Sequence, residues 1–191
     1  MNFLAHALLA GDEPALVVGG VAGDWIKGPL PAGLPADLAR GAALHRAIDS
    51  HAERHPAFRR SRGRVSPVRR RYAGVLIDIY YDHLLAAEWQ RHHSQPLGDF
   101  ARQVYRLVAA RLHHLPAAAH YPLRLMAEQD WFGSYGRIEG IADVLMRMSR
   151  RVRQPNPLAG GEAELLTALD GFGADFGEWL ADAREFARNF A

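Results

Sequence analysis

The fold of this chain is decided by residues 72–89, which read YAGVLIDIYYDHLLAAEW. Almost every residue in this stretch is apolar or aromatic, and near its middle the pattern is broken by Asp78, Asp82 and His83. Charged groups on a buried helix are costly unless they are paired or bind a metal. Asp78 and Asp82 are four residues apart, so they share one face of a helix and repel each other. The stretch therefore predicts a central helix that carries a cation site.

The rest of the chain also shows helical periodicity. No alternating run of apolar and polar residues calls for a strand, and we find no internal repeat and no low-complexity segment. A central helix is predicted to start at Pro67, with Ser66 as its N-cap. The other predicted helices cover residues 2–10, 12–28, 36–54, 96–114, 118–131, 138–151 and 162–190. The sequence thus predicts an all-α, single-domain bundle of about seven or eight helices over residues 1–191.

Composition limits the class of protein. The chain has 191 residues, and 49% of them are hydrophobic, which suits one domain with a sizeable core. It has no cysteine, so any metal must be held by oxygen and imidazole ligands. The apolar run at residues 15–23 is shorter than the roughly 20 residues that a bilayer requires. We therefore expect a cytoplasmic protein with no membrane partner, while the oligomeric state stays open.

Charge is unevenly distributed along the chain. Residues 54–71 contain eight arginines and no acid, whereas residues 162–185 are mainly acidic. An arginine cluster of this kind is typical of a surface that binds a nucleic acid, a phosphorylated ligand or an acidic protein. Phe58 is the only aromatic residue within the arginine segment, which argues against binding of single-stranded nucleic acid. A solvated surface without a partner is the alternative.

The helix predicted at residues 12–28 is rich in glycine. Gly19, Gly20 and Gly23 lower its helix propensity but allow a neighbouring helix or a ligand to come close. The pattern lacks the Lys-Ser/Thr pair that makes a phosphate-binding P-loop specific. It therefore indicates a helix that either a neighbouring helix or a ligand can approach closely, with Asp24 near its end.

Titratable residues among apolar neighbours are concentrated in the first half of the chain. His45 and Asp49 share a helix face, as do Asp78 and Asp82, and two such helices can direct four ligands into one gap. Ligands of this mixed type suit Mn²⁺, Mg²⁺, Fe or Zn²⁺. Taken singly, each residue has an ordinary explanation as a hydrogen-bonded core histidine, a helix cap or an ion pair. The complete set is His6, Asp24, His45, Asp49, Asp78, Asp82 and His83.

Four separate motifs within residues 1–90 together resemble the acyl carrier protein phosphodiesterases, also called acyl carrier protein hydrolyases. They are Met1-Asn2-Phe3-Leu4-Ala5-His6; Gly23-Asp24 with Lys27-Gly28; His45-Arg46-x-Ile48-Asp49 with His55-Pro56; and Arg71 with Leu76-Ile77-Asp78-x-x-x-Asp82-His83-x-Leu85. The chain has Ala52-Glu53 where the family pattern is expected to have Thr-Asp. The HD dyad is reversed here, as Asp82-His83.

The resemblance implies a divergent HD-type metal phosphohydrolase with an all-helical fold. Members of the family cleave 4′-phosphopantetheine from the serine of holo-acyl carrier protein, and Mn²⁺ or Mg²⁺ is the expected metal. Acyl carrier proteins are acidic, which suits the arginine segment as a docking surface. The predicted docking residues are Arg59, Arg60, Arg62, Arg64, Arg69, Arg70 and Arg71.

On this basis we assign a role to each site residue. Asp24, His45, Asp82 and His83 are predicted to bind the metal, with His6 and Asp78 as further ligands or supporting residues. Asp49 is predicted to orient or deprotonate the attacking water, and Arg46 to bind phosphate oxygens.

Two other functions stay open at this point. One is an HD-like hydrolase that acts on a nucleotide or another small phosphodiester. The other is a non-enzymatic helical protein that binds nucleic acid through residues 54–71, with an affinity that falls steeply with salt.

Overall fold

Residues 3–190 are described by the computed structural model, and this part of the chain forms twelve α-helices and no strand. Predictions that involve Met1 and Asn2 lie outside the described residues. The helices are α1 Phe3–Leu9, α2 Pro14–Ala22, α3 Ala36–Arg54, α4 Pro56–Arg64, α5 Ala73–Ala87, α6 Trp89–His92, α7 Leu97–Arg111, α8 Ala117–Glu128, α9 Trp131–Tyr135, α10 Ile138–Arg151, α11 Glu162–Thr167 and α12 Leu169–Arg188. Short 3₁₀ turns cover Gly23–Trp25, Arg70–Tyr72 and Leu112–His114. The predicted all-α class is confirmed.

Helix boundaries agree with the sequence in some places and differ in others. The predictions for residues 36–54 and 138–151 coincide with α3 and α10. The predicted helix at residues 162–190 is broken at Ala168 into α11 and α12. The predicted number of helices was too small, because α4, α6, α9 and α11 form within stretches assigned to loops or to longer helices.

The start of the central helix was also predicted wrongly. α5 begins at Ala73, six residues after Pro67. Ser66 is not its N-cap, since the Ser66 N–H donates to Glu164 Oε2 at 2.9 Å. Arg70 Nε donates to the Val65 carbonyl oxygen at 3.0 Å within the turn that precedes α5. These contacts hold the residues before Ala73 outside the helix.

Helix α5 is the centre of the fold, as the residue 72–89 pattern predicted. Leu76, Ile77, Tyr80, Tyr81 and Leu85 have no exposed surface. α5 contacts α1, α4, α9, α10 and α12, so its burial is nearly complete around its circumference. Neither α5 nor any other helix in residues 3–190 has the length and apolar character needed to cross a membrane.

Helices α2 and α3 touch through their backbones. A Cβ atom added to Gly19 would lie 2.7 Å from the Gly41 Cα atom, and one added to Gly41 would lie 2.7 Å from the Ala15 carbonyl oxygen. Real Cβ atoms essentially never approach other atoms this closely, so only glycine fits at either position. The close approach predicted for the glycine-rich helix is therefore present, and its partner is α3.

The Gly19 contact predicts that one added methyl group lowers the stability of the fold substantially. We expect Gly19→Ala to lower the free energy of unfolding by about 1–3 kcal/mol, because overpacking forces α2 and α3 apart. Gly63→Ala, at a helical glycine with open space around it, is the matched control and should be neutral or stabilising by up to about 1 kcal/mol. Urea denaturation measures both changes. Equal changes in the free energy of unfolding for the two variants would contradict the close contact of α2 and α3.

Candidate active site

Three titratable side chains from two helices meet next to α2. His6 lies on α1, and His45 and Asp49 lie one turn apart on α3. His6 Nε2 is 3.0 Å from Asp49 Oδ1, and His45 Nε2 is 3.2 Å from Asp49 Oδ2. The two imidazole rings stack with their centroids 3.9 Å apart. One ligand atom from each residue lies within 4.8 Å of the others, which is close enough for all three to reach one metal ion.

Two glycines of the α2 region fix the orientation of His45. The His45 Nδ1–H donates to the Gly20 carbonyl oxygen at 2.8 Å. Because a carbonyl only accepts, Nε2 carries a lone pair when the imidazole is neutral. A Cβ atom on Gly23 would lie 2.2 Å from the His45 ring, so the ring occupies space that only glycine leaves free. A histidine anchored in this way through its other nitrogen is typical of metal sites.

The lone pair of His45 Nε2 faces negative charge. Asp49 Oδ2 lies 3.2 Å away and Asp24 Oδ1 lies 3.8 Å away. A lone pair and a carboxylate oxygen repel each other unless a proton or a cation lies between them. His6 Nδ1 is buried and has no hydrogen-bond partner within residues 3–190. The donor set and its electrostatics therefore fit a bound cation.

Protonation states at the cluster are those of metal ligands. Burial and the neighbouring His45 lower the pKa of His6 from 6.5 to about 4. His6 is therefore uncharged at neutral pH, which is the form that binds a metal. Partial burial of Asp49 favours its neutral form, but hydrogen bonds from His45, when its Nε2 carries a proton, and from His6 outweigh this effect and hold the pKa of Asp49 well below its ordinary value. Asp49 is ionised as a result.

An open cleft of about 330 Å³ gives access to the cluster. Asp24, in the 3₁₀ turn after α2, lines this cleft together with Lys27 and Arg46. Arg46 Nη2 donates to the Ile26 carbonyl oxygen at 2.9 Å, which fixes the guanidinium group at the cleft wall. Two cationic side chains thus border the cluster. Lys27 was not selected from the sequence, although it stands in the second of the four motifs.

Asp82 lies outside this cluster and caps helix α1. Its Oδ2 accepts from the Leu4 N–H at 3.0 Å, and its Oδ1 accepts from the Ala5 N–H at 2.9 Å. Burial raises the pKa of Asp82 to about 8, against the effect of the two N–H groups, which favour the charged form. Both oxygens are therefore engaged with the start of the helix that carries His6. Asp82 acts on the cluster by holding α1 in place.

Asp78 and His83 are also outside the three-residue cluster. Burial raises the pKa of Asp78, and the negative charges of Asp49 and Asp24 raise it further. The His83 Nδ1–H donates to the Tyr135 carbonyl oxygen at 2.8 Å and joins α5 to α9. Of the six predicted metal ligands, the structure thus brings together His6 and His45, adds Asp49 to them, and places Asp24 nearby.

The seven predicted docking arginines divide into two sets. Arg60 and Arg64 each form an ion pair with the buried Asp175, at 2.8 and 2.9 Å, and Arg69 pairs with Glu164 at 2.9 Å. These three tie the arginine segment to α11 and α12. The remaining four have no acidic partner within residues 3–190. They are Arg59, Arg62, Arg70 and Arg71.

Comparison with known proteins extends the resemblance beyond its first 90 residues. A family model described as acyl carrier protein phosphodiesterase matches residues 1–183. The chain belongs to this family. A Photorhabdus laumondii protein of that name is 28% identical over 190 residues, which cover 99% of this chain and 96% of the relative. A Yersinia pestis protein of the same name is 29% identical, and the match covers 84% of this chain and 83% of the relative. A Pectobacterium atrosepticum protein, also of that name, is 30% identical, and the match covers 81% of this chain and 80% of the relative.

No solved structure matches the chain. The HD-type architecture that the resemblance implied therefore stays a prediction. The family assignment and the all-α class do not depend on it.

The geometry of the cluster predicts which residues hold a metal. We expect His45→Ala and Asp49→Ala to lower the affinity for Mn²⁺ by at least about tenfold in calorimetric titration, since each change removes a ligand atom. His51→Ala is the matched control, because His51 lies on the same helix but bonds Asp182 at 3.0 Å. Its affinity should stay within about twofold of the wild type. Equal losses in all three variants would contradict the site.

The different contacts of Asp82 and Asp24 predict opposite consequences of their removal. Asp82→Ala leaves two buried N–H groups without an acceptor and should lower the free energy of unfolding by about 2–4 kcal/mol. Asp24→Ala changes a partly exposed side chain at a cleft and should lower it by less than about 1 kcal/mol. Urea denaturation separates the two variants. The reverse ranking would show that Asp82 is not a structural cap.

Proposed function

We propose that this chain is a metal-dependent phosphodiesterase that removes 4′-phosphopantetheine from holo-acyl carrier protein and leaves the apo-protein. The observation that carries the proposal is the location of the His6–His45–Asp49 cluster in an open cleft of a chain whose family match covers residues 1–183. The shared name of the relatives supports the substrate. A cytoplasmic location belongs to the same proposal.

The residues of the cluster fit a divalent cation, and we propose Mn²⁺, with Mg²⁺ as the second candidate. Nitrogen and oxygen ligands without sulfur suit Mn²⁺, Fe or Zn²⁺, while Mg²⁺ is typically held by oxygen ligands, and the family resemblance favours Mn²⁺ among these ions. A bound ion would supply an activated water and would polarise a phosphoryl oxygen. His6, His45 and Asp49 are the proposed ligands, because their ligand atoms already converge.

The other cleft residues have proposed roles that follow from their positions. Asp49 is itself a proposed ligand, so we propose that Asp24, which lines the cleft, orients or deprotonates the water. Lys27 and Arg46 bind the non-bridging phosphate oxygens, since both cations line the cleft beside Asp24. Asp82 positions His6 through the N-terminus of α1.

The proposed docking surface for the acidic carrier protein is narrower than the whole arginine segment. Arg59, Arg62 and Arg70 line a surface depression together with one acid, Glu53, and Arg71 is exposed close by in sequence. These side chains have no acidic partner within the described residues, so their charge is available to another protein. Complementary charge of this kind mainly increases the rate of encounter and sets orientation.

The division of the arginines predicts different outcomes for two sets of variants. Combining Arg59→Glu, Arg62→Glu and Arg71→Glu should raise KM for holo-acyl carrier protein about tenfold at low salt, with little change in kcat. The difference should shrink at high salt, which screens exposed charges. Arg60→Gln with Arg64→Gln, the control, removes the two cationic partners of Asp175 and should lower Tm without raising KM. An unchanged KM in the triple glutamate variant would contradict the proposed docking surface.

The experiment that tests the function is incubation of the purified protein with holo-acyl carrier protein and Mn²⁺, followed by mass spectrometry of the carrier protein. Loss of the phosphopantetheine mass, blocked by EDTA and by His45→Ala, is the expected result. An intact carrier protein with several metals would contradict the proposal. Turnover of nucleotides in the same assay would favour a hydrolase of small phosphodiesters.

A further inference from the structure

Asp24 lines a second cavity as well as the open cleft of the cluster. This cavity has a volume of about 340 Å³, which is within the usual range for small-molecule sites. Asp24 is therefore a wall residue of both cavities, and its Oδ1 lies 3.8 Å from His45 Nε2. A molecule bound in the second cavity would contact Asp24, the residue that also borders the cleft of the cluster.

The walls of the second cavity are mainly aromatic and aliphatic, and the carboxyl groups of Asp24 and Asp82 also line it. The Phe3 and Trp25 rings stack in parallel with their centroids 5.4 Å apart, and Trp131 lies 6.1 Å from Phe3. Val144 and Met148, one turn apart on α10, form another part of the lining. Such walls favour the apolar portion of a flexible ligand over a second charged group.

Two arginines of α10 give this apolar cavity a cationic margin. The guanidinium of Arg147 lies 5.9 Å from the ring centroid of Trp131, and Arg151, one turn later, also lines the cavity. They belong to a run of four arginines within residues 147–153 that contains no acid. This second basic run was missed in the sequence, where only residues 54–71 were considered.

We propose that this cavity binds the pantetheine arm of the substrate, an inference that rests on the proposed function. A phosphodiester carries two ester arms, and here one of them is a folded carrier protein. A protein cannot enter a cavity of about 340 Å³, so the serine arm leaves through the open cleft with Lys27 and Arg46. The pantetheine arm is an uncharged, flexible chain with a dimethyl group, and the aromatic cavity beside Asp24 suits its chemistry.

A cavity-filling variant tests the subsite. Met148→Phe reduces the free volume, and Met146→Phe, at a 41% exposed residue two positions earlier that does not line the cavity, is the matched control. Binding of pantetheine alone, which has no phosphate, is measured by calorimetry on the intact protein. We expect Met148→Phe to weaken pantetheine binding at least tenfold and to raise KM for holo-acyl carrier protein by a similar factor, while Met146→Phe matches the wild type.

The outcomes separate this proposal from the proposed function. Pantetheine binding that Met148→Phe abolishes supports the subsite even if the carrier protein is never cleaved. If the carrier protein is cleaved but Met148→Phe changes neither KM nor the affinity for pantetheine, the subsite is overturned and the proposed function stands. Failure of the wild type to bind pantetheine at millimolar concentration also overturns it. Val144→Phe, from the same wall, replaces Met148→Phe if circular dichroism shows that the latter does not fold.

Discussion

The cluster depends on the backbone contact between α2 and α3. Gly19 and Gly41 allow the two helices to meet without intervening side chains. Only at this separation does the Gly20 carbonyl oxygen reach the His45 imidazole and Gly23 leave room for its ring. The cluster therefore depends on the absence of side chains at these glycines as much as on its own three side chains, because each added carbon would push α3 and its histidine away from α2.

Much of the site could be predicted from residue spacing, but the partners of the buried acids could not. His45 and Asp49 share a face because α3 is an uninterrupted helix bounded by Pro35 and Pro56, and its limits were predicted correctly. Asp82 was assigned to the metal since it is a buried acid. In the structure its carboxyl group accepts hydrogen bonds from the start of α1, 78 residues away in sequence. The sequence pattern shows that a buried carboxylate must have a partner. It does not show whether that partner is a cation or the N–H groups at a helix N-terminus.

The basic segment shows the same limit. A run of arginines without acids in residues 54–71 indicates excess positive charge, yet the ion pairs of Arg60 and Arg69 reach 95 or more residues along the chain. The acidic C-terminal region that the sequence also displays is their partner. Local charge patterns therefore overestimate the surface that is available for binding whenever an oppositely charged region of the same chain folds against it.

The way α1 is held has a consequence for the stability of the N-terminal region. Helices as short as its seven residues have little stability of their own in water, so the order of α1 comes from its contacts. Asp82 holds its first turn, and His6 joins its middle to α3. A ligand that binds the cluster stabilises the native state by RT ln(1 + [L]/Kd). Occupancy of the site and folding of the N-terminal helix are thus thermodynamically linked.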